Sequence, residues 1–226
     1  MLFRSERIHH EFDLIYNESA PFPILRRLSE LNLLSGIHPK LTWTEAHETA
    51  ISKCINYTQL PDWKLPPSVG STPIQLVLIY LSWLSQMESP TGIEVAERLR
   101  LSSTLLEALK KIVAISGSLN NLKNLTPSQF TFTLEKLPIY AVFTLYCTME
   151  DEELKEKLAL YATKWRFITP TVDGNSLRDR GVPPGPMYSR ILSEIRSAWL
   201  DGRITSPLEE EQIISSLLEE LDDGKS

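Results

Sequence analysis

Apolar residues recur at helical spacing along almost the whole chain. Ile8, Phe12 and Ile15 stand at i, i+4 and i+7, with Arg7 and Glu11 placed to pair across one turn. Pro23 suits the first turn of a second helix that carries Leu25, Leu28, Leu31 and Leu34 and is stopped by Gly36. Residues 42–60 read as a third helix. The stretch 61-PDWKLPPSVGSTP-73 holds four prolines and reads as a boundary or flexible loop. Residues 74–86, 91–99, 102–115, 127–134 and 137–149 follow as further helices. In 150-EDEELKEKLALYATKWRF-167, Leu154, Leu158, Tyr161 and Trp165 share one face. Acids fill its first turn and Lys164 and Arg166 its last, which suits the helix dipole. Two more helices are expected over 186–200 and 207–221. Strand-like alternation is confined to 131-TFTL-134, too short to support a sheet. The fold class is all-α and multi-helical, with no significant sheet.

Composition narrows the function classes. At 226 residues the chain can bury one or two cores, and 42% hydrophobic with 23% charged residues is ordinary for a soluble protein. A net charge of −6 argues against nucleic-acid binding over the whole surface, yet the charge is uneven. Residues 164–206 carry seven Lys/Arg against four Asp/Glu, and residues 207–226 carry one against seven. The acidic end therefore accounts for the whole −6. Cys54 and Cys147 lie far apart with no CxxC, as expected of free thiols in a reducing cytosol. The charged first residues argue against a signal peptide, and the longest apolar run, 74–84, is too short to span a bilayer. A soluble, cytoplasmic protein with no membrane partner is expected.

The loop 181-GVPPGPMYSRIL-192 raises a specific chemistry. Pro186 suits the first helical position, which makes Gly185 the N-cap. Gly185 has no side-chain oxygen for the amides of Met187, Tyr188 and Ser189, which stand at the positive end of a helix dipole. Such a site receives a phosphate or carboxylate. Glycine is also an ordinary N-cap whose amides water satisfies, and that reading stands beside the first. Lys164, Arg166, Arg178 and Arg180 precede the loop and Arg190 follows it. With Ile191, Ile195, Ala198 and Trp199 buried, Arg196 and Arg203 fall on one shoulder of the helix and Arg190 on the other, one turn from Glu194. A charge run of this kind is either a binding face or a solvated one.

The run 173-DGNSLRDRGVPPGPMYSRILSEIRSAWLDGRI-204 closely resembles the C-terminal tail of class II CCA-adding and A-adding tRNA nucleotidyltransferases, the bacterial poly(A) polymerase superfamily. Gly174, Leu177, Gly181, Pro184, Gly185, Pro186, Leu200, Asp201 and Gly202 match a pattern of G-x-D-L, G-x-x-P-G-P, a helix and L-D-G. Ser176 stands where the family usually has Asp, and Ser189 where many members have Gly. The preceding 161-YATKWRFITPTVDG-174 is similar to the long members that also carry CBS and DHH modules. At the other end, 5-SERIHHEF-12 and 30-ELNLLSGIHPKL-41 resemble the family's neck. The resemblance implies a neck remainder and start of the body over 1–60, a Pro-rich loop at 61–73, a helical body over 74–163 and a tail over 164–226.

The family's catalytic head needs a Gly-Gly-x-V-R-D segment, a D-x-D metal pair and an E-D-x-x-R helix, and this sequence has none of them. The acids at 150–153 suit a helix start, and His9, His10, His38 and His47 have no metal-ligand spacing. No cofactor is therefore expected here; the family's Mg2+ and nucleoside triphosphate belong to the head, in the same or another chain. The resemblance implies that body and tail grip the acceptor and TΨC region of tRNA. A phosphate would lie at the Gly185 loop, with the seven basic residues from Lys164 to Arg203 around it. With the head motifs absent, the chain alone is not expected to be an enzyme, although the parent family is one, and a homodimer stays open. The alternatives are a protein-interaction or dimerisation module, and an enzyme whose site forms only in the fold.

Overall fold

The computed structural model describes residues 2–56, 61–182 and 185–223. Its helices are α1 (Leu2–Tyr16), α2 (Pro21–Glu30), α3 (Glu45–Ile55), α4 (Ile74–Leu84), α5 (Thr91–Leu99), α6 (Ser103–Ser116), α7 (Leu119–Lys123), α8 (Pro127–Leu134), α9 (Ile139–Thr148), α10 (Glu152–Thr163), α11 (Gly174–Asp179), α12 (Pro186–Leu200) and α13 (Pro207–Asp223). A small antiparallel pair, β1 (Ser68–Val69) with β2 (Thr72–Pro73), sets Ser68 opposite Pro73 and Val69 opposite Thr72. The fold is all-α, as the periodicity predicts.

Some boundaries differ from the expected ones for local reasons. The second helix ends at Glu30, short of Leu34, because Asn32 takes a left-handed φ of 54°. The amides of Asn32 and Leu33 then turn back to the carbonyls of Ser29 and Leu28, closing the helix end. Residues 34–36 form a separate 3-10 turn. The third helix starts at Glu45, where Nδ1 of His47 accepts from the Thr44 amide at 3.0 Å. The last residues of the expected span, 57–60, lie outside those described. The segment 131–134, strand-like in sequence, belongs to α8.

The chain divides into two compact units, Met1–Asn120 with Leu137–Ala162, and Asn121–Lys136 with Thr163–Ser226. In the first, α4 is apolar on all sides and nearly every residue from Leu76 to Leu84 is buried, so neighbours must surround it. It packs against α3, α5, α6 and α9. Trp83, near its C-terminal end, donates from Nε1 to the Thr42 carbonyl at 3.0 Å. The close approach of α5 to α4 depends on Gly92, since a Cβ there would lie 2.0 Å from the Leu84 carbonyl oxygen. Cys54 and Cys147 are buried and free in this unit, and burial pushes the Cys54 thiol up.

The second unit packs α11, α12 and α13 around Leu177, Val182, Ile191, Ile195, Ile204 and Ile214, and α8 packs against α12. The end of α12 is closed by the amide of Gly202 on the Trp199 carbonyl and that of Arg203 on the Ala198 carbonyl. Asp201, at the same turn, caps the first turn of α8. Its two oxygens accept from the amide and the hydroxyl of Ser128, each at 2.8 Å.

Candidate nucleic-acid interface

The site lies on the second unit, at the start of α12 and the segments leading to it. Asp173 caps α11 by accepting from the amide and hydroxyl of Ser176 at 2.9 and 3.0 Å, so a serine at 176 is itself a bonded partner. These bonds hold the Asp173 carboxyl below the usual range. Tyr188, one turn into α12, lays its ring against Gly174 and donates from its hydroxyl to the Val182 carbonyl at 2.9 Å. Met187 packs against the core of the unit. Both side chains thus anchor the start of α12 onto α11.

Gly185 is the residue before α12, with φ 155° and ψ −163°, and no side chain caps the helix. That backbone region is essentially closed to residues with a Cβ. Of the three amides singled out from the sequence, that of Tyr188 is turned to the Gly185 carbonyl at 3.1 Å. Pro183 and Pro184 lie outside the described residues.

The basic side chains divide into two groups. Arg180 forms a two-pronged ion pair with Glu211 of α13. Arg196 lies over the Phe132 ring, donates to the Ile168 carbonyl at 2.9 Å and pairs with Glu135. Arg203 pairs with Glu194 at 2.9 Å, so Glu194 meets Arg203 and not Arg190. The remaining four hold no close ion pair among the described residues. Lys164 and Arg190 are exposed and hold no ion pair among the described residues. Arg178 is exposed, with Asp179 at a long 3.9 Å. Arg166 lies over the ring of Phe167 at 4.7 Å.

No protein-family model matches the chain. An A-adding tRNA nucleotidyltransferase of Geobacter sulfurreducens is 23% identical over 215 residues, covering 92% of this chain and 24% of that protein. A Thermotoga maritima CCA-adding enzyme solved in complex with tRNA superposes with a TM-score of 0.68 at 16% identity, over 94% of this chain and 52% of that one. A CCA-adding enzyme solved with CTP gives 0.67 at 17% identity, over 96% of this chain and 50% of that one. This chain is similar to part of the tRNA nucleotidyltransferases. It spans about a quarter of the curated relative and about half of the solved enzymes.

Set beside the nucleotidyltransferase motifs, several matched residues have plain structural work. Asp201 of the L-D-G caps α8, Gly202 helps close α12, and Leu177 is fully buried in the core. The residue that the motifs did not point to is Glu210. It is 1% exposed and accepts from the Thr171 amide and hydroxyl, the Val172 amide and Nε1 of Trp199. Burial pushes its carboxyl up, but those donors outweigh burial and hold it below the usual range. In the first unit, Glu48 is likewise held low by Arg26 and by Nε1 of Trp43. A cleft of about 510 Å³ opens beside that cluster, lined by Arg26, Glu30, Trp43 and Glu45 among others. Glu48 stays ionised as an anchor, which suits structure and not proton transfer. Among the described residues no group of three or more His, Cys, Asp and Glu is placed to hold a metal ion, and no helix is long and apolar enough to cross a membrane.

Proposed function

We propose that this chain is the tRNA-gripping body and tail of a CCA- or A-adding tRNA nucleotidyltransferase. It holds the acceptor and TΨC region while a catalytic head, in the same or another chain and in the cytoplasm, adds nucleotides with Mg2+ and a nucleoside triphosphate. The observation that carries this reading is the shared fold with an enzyme solved on tRNA, over 94% of this chain. Its physical support in this chain is the set of cations on the second unit without a close ion pair among the described residues: the exposed Lys164, Arg178 and Arg190, and the half-buried Arg166 over Phe167. Duplex RNA hides its base edges in a deep groove, so grip comes from shape and phosphates. The positive end of the α12 dipole, which no side chain caps, adds an attraction for anions to that surface.

The test is binding of an RNA hairpin carrying an acceptor stem and TΨC arm, measured by fluorescence anisotropy at 50 and 200 mM salt. Binding should weaken steeply with salt. The triple variant Lys164→Gln, Arg178→Gln, Arg190→Gln should lower the log–log slope by about two to three, since each lost phosphate contact removes about 0.9 or less. Arg180 is left intact because its loss would strand Glu211. Absence of salt-sensitive binding overturns the reading.

One observation favours a protein contact as well. In the first unit Ile24, Leu31 and Leu33 are exposed on α2 and the turn after it, an apolar patch suited to a catalytic head or another protein. Association through that patch would be insensitive to salt.

A further inference from the structure

We infer that Phe167, backed by Arg166, is a stacking platform for one unstacked nucleobase of the bound RNA; this rests on the tRNA reading above. The second unit leaves two large apolar side chains exposed among the described residues, Phe167 at 48% and Leu208 at 72%. Leu208 stands in the first turn of acidic α13, beside Glu209 and Glu210. Phe167 stands among cations instead, following Lys164 and Arg166 in one 3-10 turn.

That turn is held rigidly from several directions. The amides of Phe167 and Ile168 bond to the carbonyls of Lys164 and Trp165, each at 3.1 Å. Trp165 points inward and meets Phe130 edge-on, with ring centroids 5.9 Å apart. Arg196 pins the next carbonyl, that of Ile168, at 2.9 Å. With Trp165 anchored and Ile168 fixed, Phe167 is presented outward on a rigid base. The Arg166 guanidinium, 4.7 Å from its ring centroid, adds a planar cation to the aromatic surface. An exposed aromatic ring with a guanidinium over it is a surface on which an extruded base stacks, and the contact tolerates any base because every base has a π-face.

Phosphate grip and base stacking respond differently to salt, which makes the idea testable on the same hairpin. Phe167→Ala should weaken binding about 5- to 100-fold, the range expected for one stacked base, with the salt slope unchanged. Phe167→Trp should restore binding to within about twofold. A fully paired duplex without the loop should be indifferent to Phe167→Ala. Thermal unfolding of Phe167→Ala should match wild type, since so exposed a ring contributes little to the core. Hairpin binding that keeps its salt slope and is within twofold of wild type in Phe167→Ala overturns the stacking alone. A loss that Phe167→Trp fails to restore does the same. A wild-type chain that binds no RNA at low salt overturns the tRNA reading and this inference with it.

Discussion

Replacing Glu210 by alanine should be among the most damaging single changes in the second unit. The carboxylate collects four donors: the Thr171 amide at 3.0 Å, the Thr171 hydroxyl at 2.8 Å, the Val172 amide at 2.9 Å and Nε1 of Trp199 at 2.6 Å. Removing an acceptor strands its donors, and each buried donor left unsatisfied costs about 1–3 kcal/mol. Thr171 is exposed and can recruit water, which leaves the Val172 amide and the half-buried Trp199 indole as the groups that lose most. The expected loss is therefore about 2–5 kcal/mol. Glu210→Gln keeps the shape but offers one acceptor oxygen and turns an NH2 toward the other donors, so it should fall between alanine and wild type. Urea unfolding followed by circular dichroism gives the stability, and hydrogen exchange at the Val172 amide reports the site itself. Glu219→Gln, an exposed position on the same helix, is the control and should stay within about 0.5 kcal/mol. If Glu210→Ala lies that close to wild type, the idea that this carboxylate holds α13 to the strap at 171–172 is wrong.

Gly92→Ala must push α5 off α4, because its Cβ would sit 2.0 Å from a backbone oxygen; a loss of about 3 kcal/mol is expected by urea titration. Gly185→Ala meets nothing within 4 Å, so its cost of about 1–3 kcal/mol is backbone strain alone. Gly36→Ala is equally uncrowded at an ordinary φ and should be nearly neutral in the same melt. His47 gives a pH dependence: burial lowers its pKa, so the unfolded chain takes up the proton first as pH falls. Stability is fully present above the ordinary value of about 6.5 and is lost as pH falls through the lowered folded value. Melting temperatures between pH 7.5 and 5.0 should show this decline, and His47→Gln, which keeps an acceptor for the Thr44 amide, should flatten it.

The periodic parts of the fold were legible because one helix face decides them. Ile191, Ile195 and Ala198 are buried together as their spacing requires, and α4 is buried all round as an unbroken apolar run should be. Boundaries were less so. The end of α2 turns on one left-handed asparagine, and α11 starts from an Asp–Ser cap too short to leave a periodic signal. The start of α12 was readable as a glycine-capped helix, whereas the inward turn of the Tyr188 amide and the packing of its ring on Gly174 depend on contacts no spacing encodes.

Charge was the least legible quantity, because counting ignores partners. Residues 209–211 belong to the acidic end, yet each carboxylate has separate work: Glu209 on Thr205, Glu210 on the strap and Trp199, Glu211 on Arg180. The acidic segment is therefore built into the fold at its start. On the basic side, Arg180, Arg196 and Arg203 are engaged with Glu211, Glu135 and Glu194, across 31, 61 and 9 residues of sequence. Four of the seven cations read from the sequence then remain for phosphate, which sets an expectation for the binding experiment. If these four alone meet the RNA, the log–log salt slope should not exceed about 4. A steeper slope would mean that arginines paired here exchange a carboxylate for a phosphate on binding. Glu211→Gln, which frees Arg180, would then tighten binding, and a slope at or below that ceiling with no effect of Glu211→Gln would show that the internal pairs stay closed.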